Sequence, residues 1–256
     1  MPKRFVVTAS EFGDLPRFPG GSGGFELAEA LTAAARRLHE TDTPHTTLST
    51  AVRLAVRFMP GAEHAGISVI ERGSRPYTSQ RRPLAWTDEV VRSVESRHGG
   101  REPHPHWEHL WTQPVARIED SEADGGGGVL SAAGLRSALA LRLRADRRRL
   151  TVLTAYASKP RAFGEDATRI GRLFTAHVGI ALDSATVREQ LTEAMRTRDL
   201  IGQATGILME RQNIDAASAF ESLVKASQRE NVKLRDLARR IVDTHGTTAG
   251  RGVNER

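Results

Sequence analysis

The chain of 256 residues contains no cysteine. That removes disulfides, cysteinyl zinc sites, iron–sulfur clusters and thiol nucleophiles at once. It also lacks any apolar run near the roughly 20 residues that cross a bilayer. Phe5-Val6-Val7 is too short, and too soon followed by Asp and Pro, to read as a signal peptide. A cytoplasmic protein with no membrane partner and one or two domains is expected. No Ser–His–Asp set or carboxylate pair stands in a recognisable motif, so no reaction, catalytic residue or enzyme activity is predicted. Lysine is scarce beside arginine, and the net charge is +6. That excess fits an acidic partner such as nucleic acid. It is not evenly spread, because Leu191 to Gly246 holds nine Lys/Arg against eight Asp/Glu. Nucleic-acid affinity in that stretch must come from a few placed groups.

The most informative stretch lies near the C-terminal end. Ile201, Ala204, Ile207 and Leu208 recur at helical spacing, as do Ala216, Ala219, Phe220, Leu223, Val224 and Ser227, then Leu234, Leu237, Ala238 and Ile241. Asp215 is placed to cap the middle helix. Thr244-His245-Gly246 is expected to end the last one with a glycine cap. Three short apolar stripes can close one small core.

Upstream, residues 1–24 carry prolines and a Gly-Gly-Ser-Gly-Gly run and read as a flexible leader. Phe25 to Leu38 has a helical period, and Thr43-Pro44-His45 breaks it before a second helix through Phe58. His64 to Glu71 alternates as a strand, Tyr77 to Gln80 as its return, and Glu89 to Glu95 as a short helix. Gln113 to Ile118, Gly134 to Leu143 and Leu150 to Ala157 are further strands, and a long helix opens near Ala167. The order is that of an α+β domain with an antiparallel sheet and flanking helices, followed by an all-α three-helix module.

Several motifs invite stronger readings. His104-Pro105-His106-Trp107-Glu108-His109 offers ligand types but not the one-face i, i+4 spacing of helical zinc sites, so no metal is predicted. Gly125 to Gly128 lacks the Lys-Ser/Thr of a phosphate-binding loop and reads as a flexible surface loop. Arg142, Arg144, Arg147, Arg148 and Arg149 decorate a hairpin turn that either is solvated or touches RNA. Leu173, His177, Ile180, Ser184, Val187, Leu191, Ala194, Arg198 and Ile201 are spaced alternately four and three apart, with no Gly-Pro break. This heptad-like seam predicts a continuous helix over about 167–211. Its apolar members, Leu173, Ile180, Val187, Leu191 and Ala194, either form a homodimer surface or pack within one subunit.

Two family resemblances rest on these residues. The order IGQATGILMER, a capped AASAFESLVKASQREN and then KLRDLA resembles the ANTAR domain of bacterial transcription antitermination regulators, over Val187 to Gly246. GISVI, GLRSALALRL, LTVLTAYASKPRAFGEDA and RLFTAHVGIAL are similar to a GAF domain, over Phe25 to Ser184. GAF domains of this lettering commonly precede ANTAR domains in actinobacterial proteins. The resemblance implies a GAF-like sensor domain at 25–184, an ANTAR-like RNA-binding domain at 185–246 and a flexible tail at 247–256. It implies binding to stem-loops in nascent mRNA, with Gln203, Thr205, Gly206, Arg211, Gln228, Arg229, Asn231, Lys233 and Arg235 matching the exposed polar positions of the family. Each of these is either an RNA contact or a solvated side chain. Where many ANTAR domains have Ala-Lys-Gly, this chain has Ala204-Thr205-Gly206, one cation fewer. No cofactor is expected, and the input is an unidentified small molecule in the GAF-like domain or a signalling partner protein. The alternative is a non-catalytic ligand-binding or protein-interaction module that its C-terminal helices dimerise.

Overall fold

The computed structural model describes residues 24–72, 79–96, 109–123 and 127–249. The leader to residue 23, the histidines at 104 and 106 and the first glycines of the 125–128 run lie outside these. Two compact units are formed, Met1–Thr186 and Val187–Arg256.

In the first unit, helices α1 (Gly24–His39) and α2 (Pro44–Phe58) precede strands β1 (His64–Arg72) and β2 (Ser79–Trp86). Helix α3 (Glu89–Ser96), a 3-10 turn (His109–Trp111), β3 (Val115–Ile118) and α4 (Gly127–Ala132) follow. Then come β4 (Ser137–Ala145), β5 (Arg149–Ala157) and the long helix α5 (Glu165–Gln212). All pairings in the sheet are antiparallel, in the order β2-β1-β5-β4-β3.

The start of α2 shows how local chemistry sets a boundary. Thr43 is the N-cap, its hydroxyl accepting the Thr46 N–H and the Thr46 hydroxyl accepting its own N–H in return. Pro44 occupies the first turn, where its missing N–H costs nothing. The proline expected to break the first helix therefore begins the second. At the other end, Gly61 has φ +83°, and a Cβ there would lie 2.3 Å from the Ala162 carbonyl oxygen, so only glycine fits.

Alternation along the strands gives the sheet two faces. On one, Ile67, Leu139, Leu141, Leu153 and Ala155 meet Leu38, Leu54, Ala55 and Phe58 of the first two helices and Phe174, Val178 and Ala181 of α5. The Phe58 and Phe174 rings stack at 6.2 Å between centroids. Full burial of each such side chain is worth about 1.5–3 kcal/mol. On the other face, Val91, Val94, Ile118, Leu130, Leu135, Ala138 and Tyr156 form a second cluster, and Ile70, Leu110, Ala140, Leu150 and Val152 a third.

Two expectations need correcting here. The return strand does not stop at Gln80: it runs to Trp86, with Pro83 inside it. Because β2 is an edge strand and its partner shifts register between Ile67 and Ser68, the proline removes no ladder bond the sheet requires. The glycine run is not wholly loop either, since Gly127 opens the short helix α4.

The second unit comprises the end of α5 with helices α6 (Ala216–Glu230) and α7 (Leu234–Ala249). Asp215 caps α6 by accepting the Ser218 N–H at 2.7 Å. That bond and one from the Ser218 side chain hold its carboxyl below the usual aspartate range. Ala204, Leu223, Leu237 and Ala238 are the buried core, with Leu200, Ile201, Leu208 and Ile241 packed around them. Phe220, read from the sequence as part of the same stripe, is 45% exposed. Gly246 does not end α7, which continues through Ala249 and so takes in the start of the expected tail. Glycine inside a helix costs only about 1 kcal/mol relative to alanine, so it does not by itself stop one.

Candidate nucleic-acid interface

The polar residues singled out in the second unit fall into three groups. Gln203, Thr205 and Gly206 stand on α5. Gln203 is exposed, but the Thr205 hydroxyl donates to the Ile201 carbonyl at 2.8 Å and is spent on its own helix. A Cβ at Gly206, or at Gly202 one turn earlier, would meet no described atom within 4 Å beyond its own stretch of helix backbone. Close packing inside the unit therefore does not explain these glycines. They leave a strip of bare backbone facing outward, which an external backbone can approach closely.

Arg211 lies at the end of the same helix and donates from Nη2 to Nδ1 of His245 at 3.2 Å. The third group is the turn between α6 and α7. Asn231 takes the left-handed conformation, φ 53° and ψ 39°, and its N–H closes on the carbonyls of Gln228 and Ser227. Asparagine tolerates this conformation better than most residues. The Ser227 hydroxyl donates to the Val232 carbonyl at 2.7 Å, tightening the same turn. Gln228, Arg229 and Lys233 project from it, all exposed. Arg229 and Lys233 make no ion pair or side-chain hydrogen bond among the described residues. Arg235 differs, because it pairs with Glu193 at 3.4 Å and Asp236 at 3.5 Å. The turn thus offers two free cations and two amides within six residues. Cations neutralise phosphates, and amides can pair with unpaired base edges.

The seam residues on α5 are exposed: Leu173 45%, Ile180 57%, Val187 53% and Leu191 60%, with Ala194 exposed as well. Met195, missed in the sequence because it falls outside the four-three spacing, is 67% exposed beside them. The exposed large apolar side chains of the described residues are thereby concentrated on one helix, with only Phe25, Val90 and Phe220 elsewhere.

The first unit holds a polar cluster that sequence reading passed over. Arg81 on β2 forms an ion pair with Glu95 on α3, with side chains 3% and 0% exposed. Arg81 Nε also donates to Ser68 Oγ at 2.6 Å, and the Tyr156 hydroxyl donates to Glu95 Oε1 at 2.6 Å. Burial first, and then the Glu95 charge, pushes the Tyr156 phenol far above its ordinary value, so it stays a donor. Glu95 sits one position from Val94 on the buried stripe Val91, Val94, Glu95. A carboxylate on an apolar helix face was the available signal. Asp88 caps the same helix, its Oδ1 accepting the Val90 and Val91 N–H groups.

Among the described residues no group of three or more His, Asp or Glu is placed to hold a metal, and no helix is long and apolar enough to cross a membrane.

Against known proteins, the GAF domain profile matches residues 41–183 and the ANTAR domain profile residues 189–242. No curated protein matches the chain. Among solved structures it is similar to a bacteriophytochrome of the photosynthetic bacterium R. palustris, at 13% identity and a TM-score of 0.54. That match covers 80% of this chain and 47% of the bacteriophytochrome. It is also similar to the phytochrome photosensory core module of Stigmatella aurantiaca, at 11% identity and a TM-score of 0.51, over 77% of this chain and 44% of that one. The chain spans less than half the length of either, and the likeness is one of fold.

Proposed function

Because the chain belongs to the GAF domain family and carries an ANTAR domain behind it, we propose that it is a signal-responsive transcription antitermination regulator of the actinobacterial type. GAF and ANTAR domains are regulatory parts, a sensor and an RNA-binding antitermination module. In this reading residues 25–184 sense and residues 185–246 bind stem-loops in nascent mRNA, so that a terminator hairpin is blocked and transcription continues. The observation that carries it is the α6–α7 turn, where the Asn231 cap presents Arg229 and Lys233 as unpaired, exposed cations. The open glycine strip at Gly202 and Gly206 supports it, since a nucleic-acid backbone needs close access. Gln203, Gln228 and Asn231 are base-edge readers, and Arg211 and Arg235 are anchored cations at the rim. The input is an unidentified small molecule or a partner protein, which acts only if it prefers the RNA-competent state.

The test is a titration of the full chain against a tandem stem-loop RNA, beside an Arg229→Ala, Lys233→Ala variant, at two salt concentrations. Binding is expected to weaken steeply with salt, and the variant's salt slope is expected to fall by about two. A native protein that ignores the RNA in the presence and absence of candidate signals would refute the reading.

Two copies are expected to associate through Leu173, Ile180, Val187, Leu191 and Ala194, with Met195 joining them. Val187→Glu with Leu191→Glu places like charges at the seam, so light scattering should report a monomer where the native chain is a dimer. A native monomer at tens of micromolar would remove the homodimer from the proposal.

A second reading, a ligand-binding or interaction module that only dimerises through these helices, is favoured by one observation. The Thr205 hydroxyl is occupied within its own helix, where a cation would otherwise reach out. Dimerisation without salt-sensitive RNA binding would select it.

A further inference from the structure

The β4–β5 hairpin concentrates cations, and the structure separates them by what each does. Arg142 is structural: its Nη1 donates to the Leu110 and Trp111 carbonyls at 3.2 and 3.3 Å, tying the 3-10 turn to the sheet. A register shift between Arg142 and Arg144 turns the next arginine to the other face, where it meets Asp183 at 2.7 Å. Arg149 pairs with Glu71 at 3.1 Å. Both of these pairs are largely exposed and worth at most about 1 kcal/mol, so their cations remain exchangeable.

Arg147 and Arg148 form the tip. Both are exposed, and neither has an ion pair or side-chain hydrogen bond among the described residues. The acid in the loop, Asp146, does not reach for them with Oδ1, which instead accepts the backbone N–H groups of Arg148 and Arg149, each at 2.8 Å. Beside the tip, the Arg72 N–H donates to the Arg148 carbonyl at 2.8 Å, and the Arg72 guanidinium lies 4.0 Å over the Trp111 ring. Among the described residues, five arginines (72, 144, 147, 148, 149) against Glu71, Asp146 and Asp183 leave two positive charges in excess at this end of the sheet.

We propose that this arginine-bearing end of the sensor's sheet is a second phosphate-binding surface for the RNA, with Arg147 and Arg148 as its free cations and Arg72 as a pre-stacked one. The inference rests on the reading that the chain binds RNA. Two observations favour RNA over a protein partner. No exposed large apolar side chain of the described residues lies at this end, whereas a protein interface needs an apolar centre. The stretch Leu191 to Gly246 carries nine Lys/Arg against eight Asp/Glu, so the long-range attraction that polyphosphate binding requires is not supplied there. Guanidinium groups fit the demand, because each can fork onto two phosphate oxygens, and stacking on Trp111 fixes one of them in advance.

The experiment is a titration of the full chain carrying Arg147→Gln and Arg148→Gln against the tandem stem-loop RNA, from about 50 to 200 mM salt. The variant should bind about tenfold more weakly at the lower salt, with a slope smaller by about two. Its thermal melt should match the native one, since Asp146 and backbone bonds shape the loop. Combined with Arg229→Ala and Lys233→Ala, the losses should multiply, as expected of separate sites. If native protein binds RNA and this variant binds with the same affinity and slope, the hairpin is no RNA surface, while the antitermination reading stands. If native protein binds no RNA, both fail together. If the variant loses adhesion to anionic phospholipid vesicles and keeps its RNA affinity, the surface serves a lipid headgroup and the proposal is overturned.

Discussion

Replacing Glu95 by alanine is expected to lower the stability of the sensor unit by about 3–5 kcal/mol, because it breaks a buried ion pair with Arg81 by removing one partner. Against a total of about 5–15 kcal/mol for an ordinary domain, that is a large share of the unit's stability. The geometry explains the size. Both side chains are all but inaccessible, and Glu95 is also the acceptor for the Tyr156 hydroxyl. Removing the carboxylate therefore takes the shared acceptor from a buried guanidinium and a buried phenol at once. The converse substitution separates this from a simple packing loss. Arg81→Met, Glu95→Leu and Tyr156→Phe, with Ser68→Ala, together remove the two charges, the phenol and the serine hydroxyl that meets Arg81, and should return most of the stability. Urea midpoints followed by circular dichroism would check both. A Glu95→Ala midpoint equal to that of the native chain would mean the pair is not buried in solution.

Leu223→Ala should have the second largest effect, about 2–5 kcal/mol, and should fall on the C-terminal unit. Among the described residues, the buried side chains there are two leucines, Leu223 and Leu237, and three alanines, Ala204, Ala219 and Ala238. A unit of some seventy residues has little stability to spare. The informative control is Phe220→Ala. The phenylalanine is larger, yet at 45% exposure its truncation should cost about 0.5 kcal/mol or less. Amide hydrogen exchange across the full chain would read both, with Leu223→Ala raising exchange in α6 and α7 while the sheet stays protected. Equal exchange in the two variants would show that Leu223 is not the keystone of this core.

Those two residues also show where periodicity was sufficient and where it was not. Phe220 and Leu223 are both apolar and three apart, so a helical stripe includes both; which one faces inward depends on where neighbouring helices lie. Strong period-two runs such as Gly134 to Leu143 and Leu150 to Ala157 gave strands within a few residues of β4 and β5. The return strand expected over Tyr77 to Gln80 extends through Arg81, Arg82 and Pro83 to Trp86, although proline is depleted in strands. The tertiary structure overrides that local signal with an edge position for Pro83 and an ion pair for Arg81. Likewise, a glycine caps a helix only where its backbone turns left-handed, whereas Gly246 stays within a helix that runs through Ala249. For the candidate interface, side-chain chemistry was readable in the sequence and occupancy was not. Arg229 and Arg235 look alike there, but in the fold Arg235 is held by Glu193 while Arg229 makes no ion pair among the described residues.

The hairpin loop held by Asp146 separates shape from charge. Its form is written in the backbone bonds to Asp146 and Arg72, none of which involves the side chain at position 147 or 148. Drift at those two positions can therefore step the local charge up or down one unit at a time without disturbing the fold. Descendants of the same gene could retune how strongly this end of the sheet attracts a polyanion, on an evolutionary path that never passes through an unfolded ancestor.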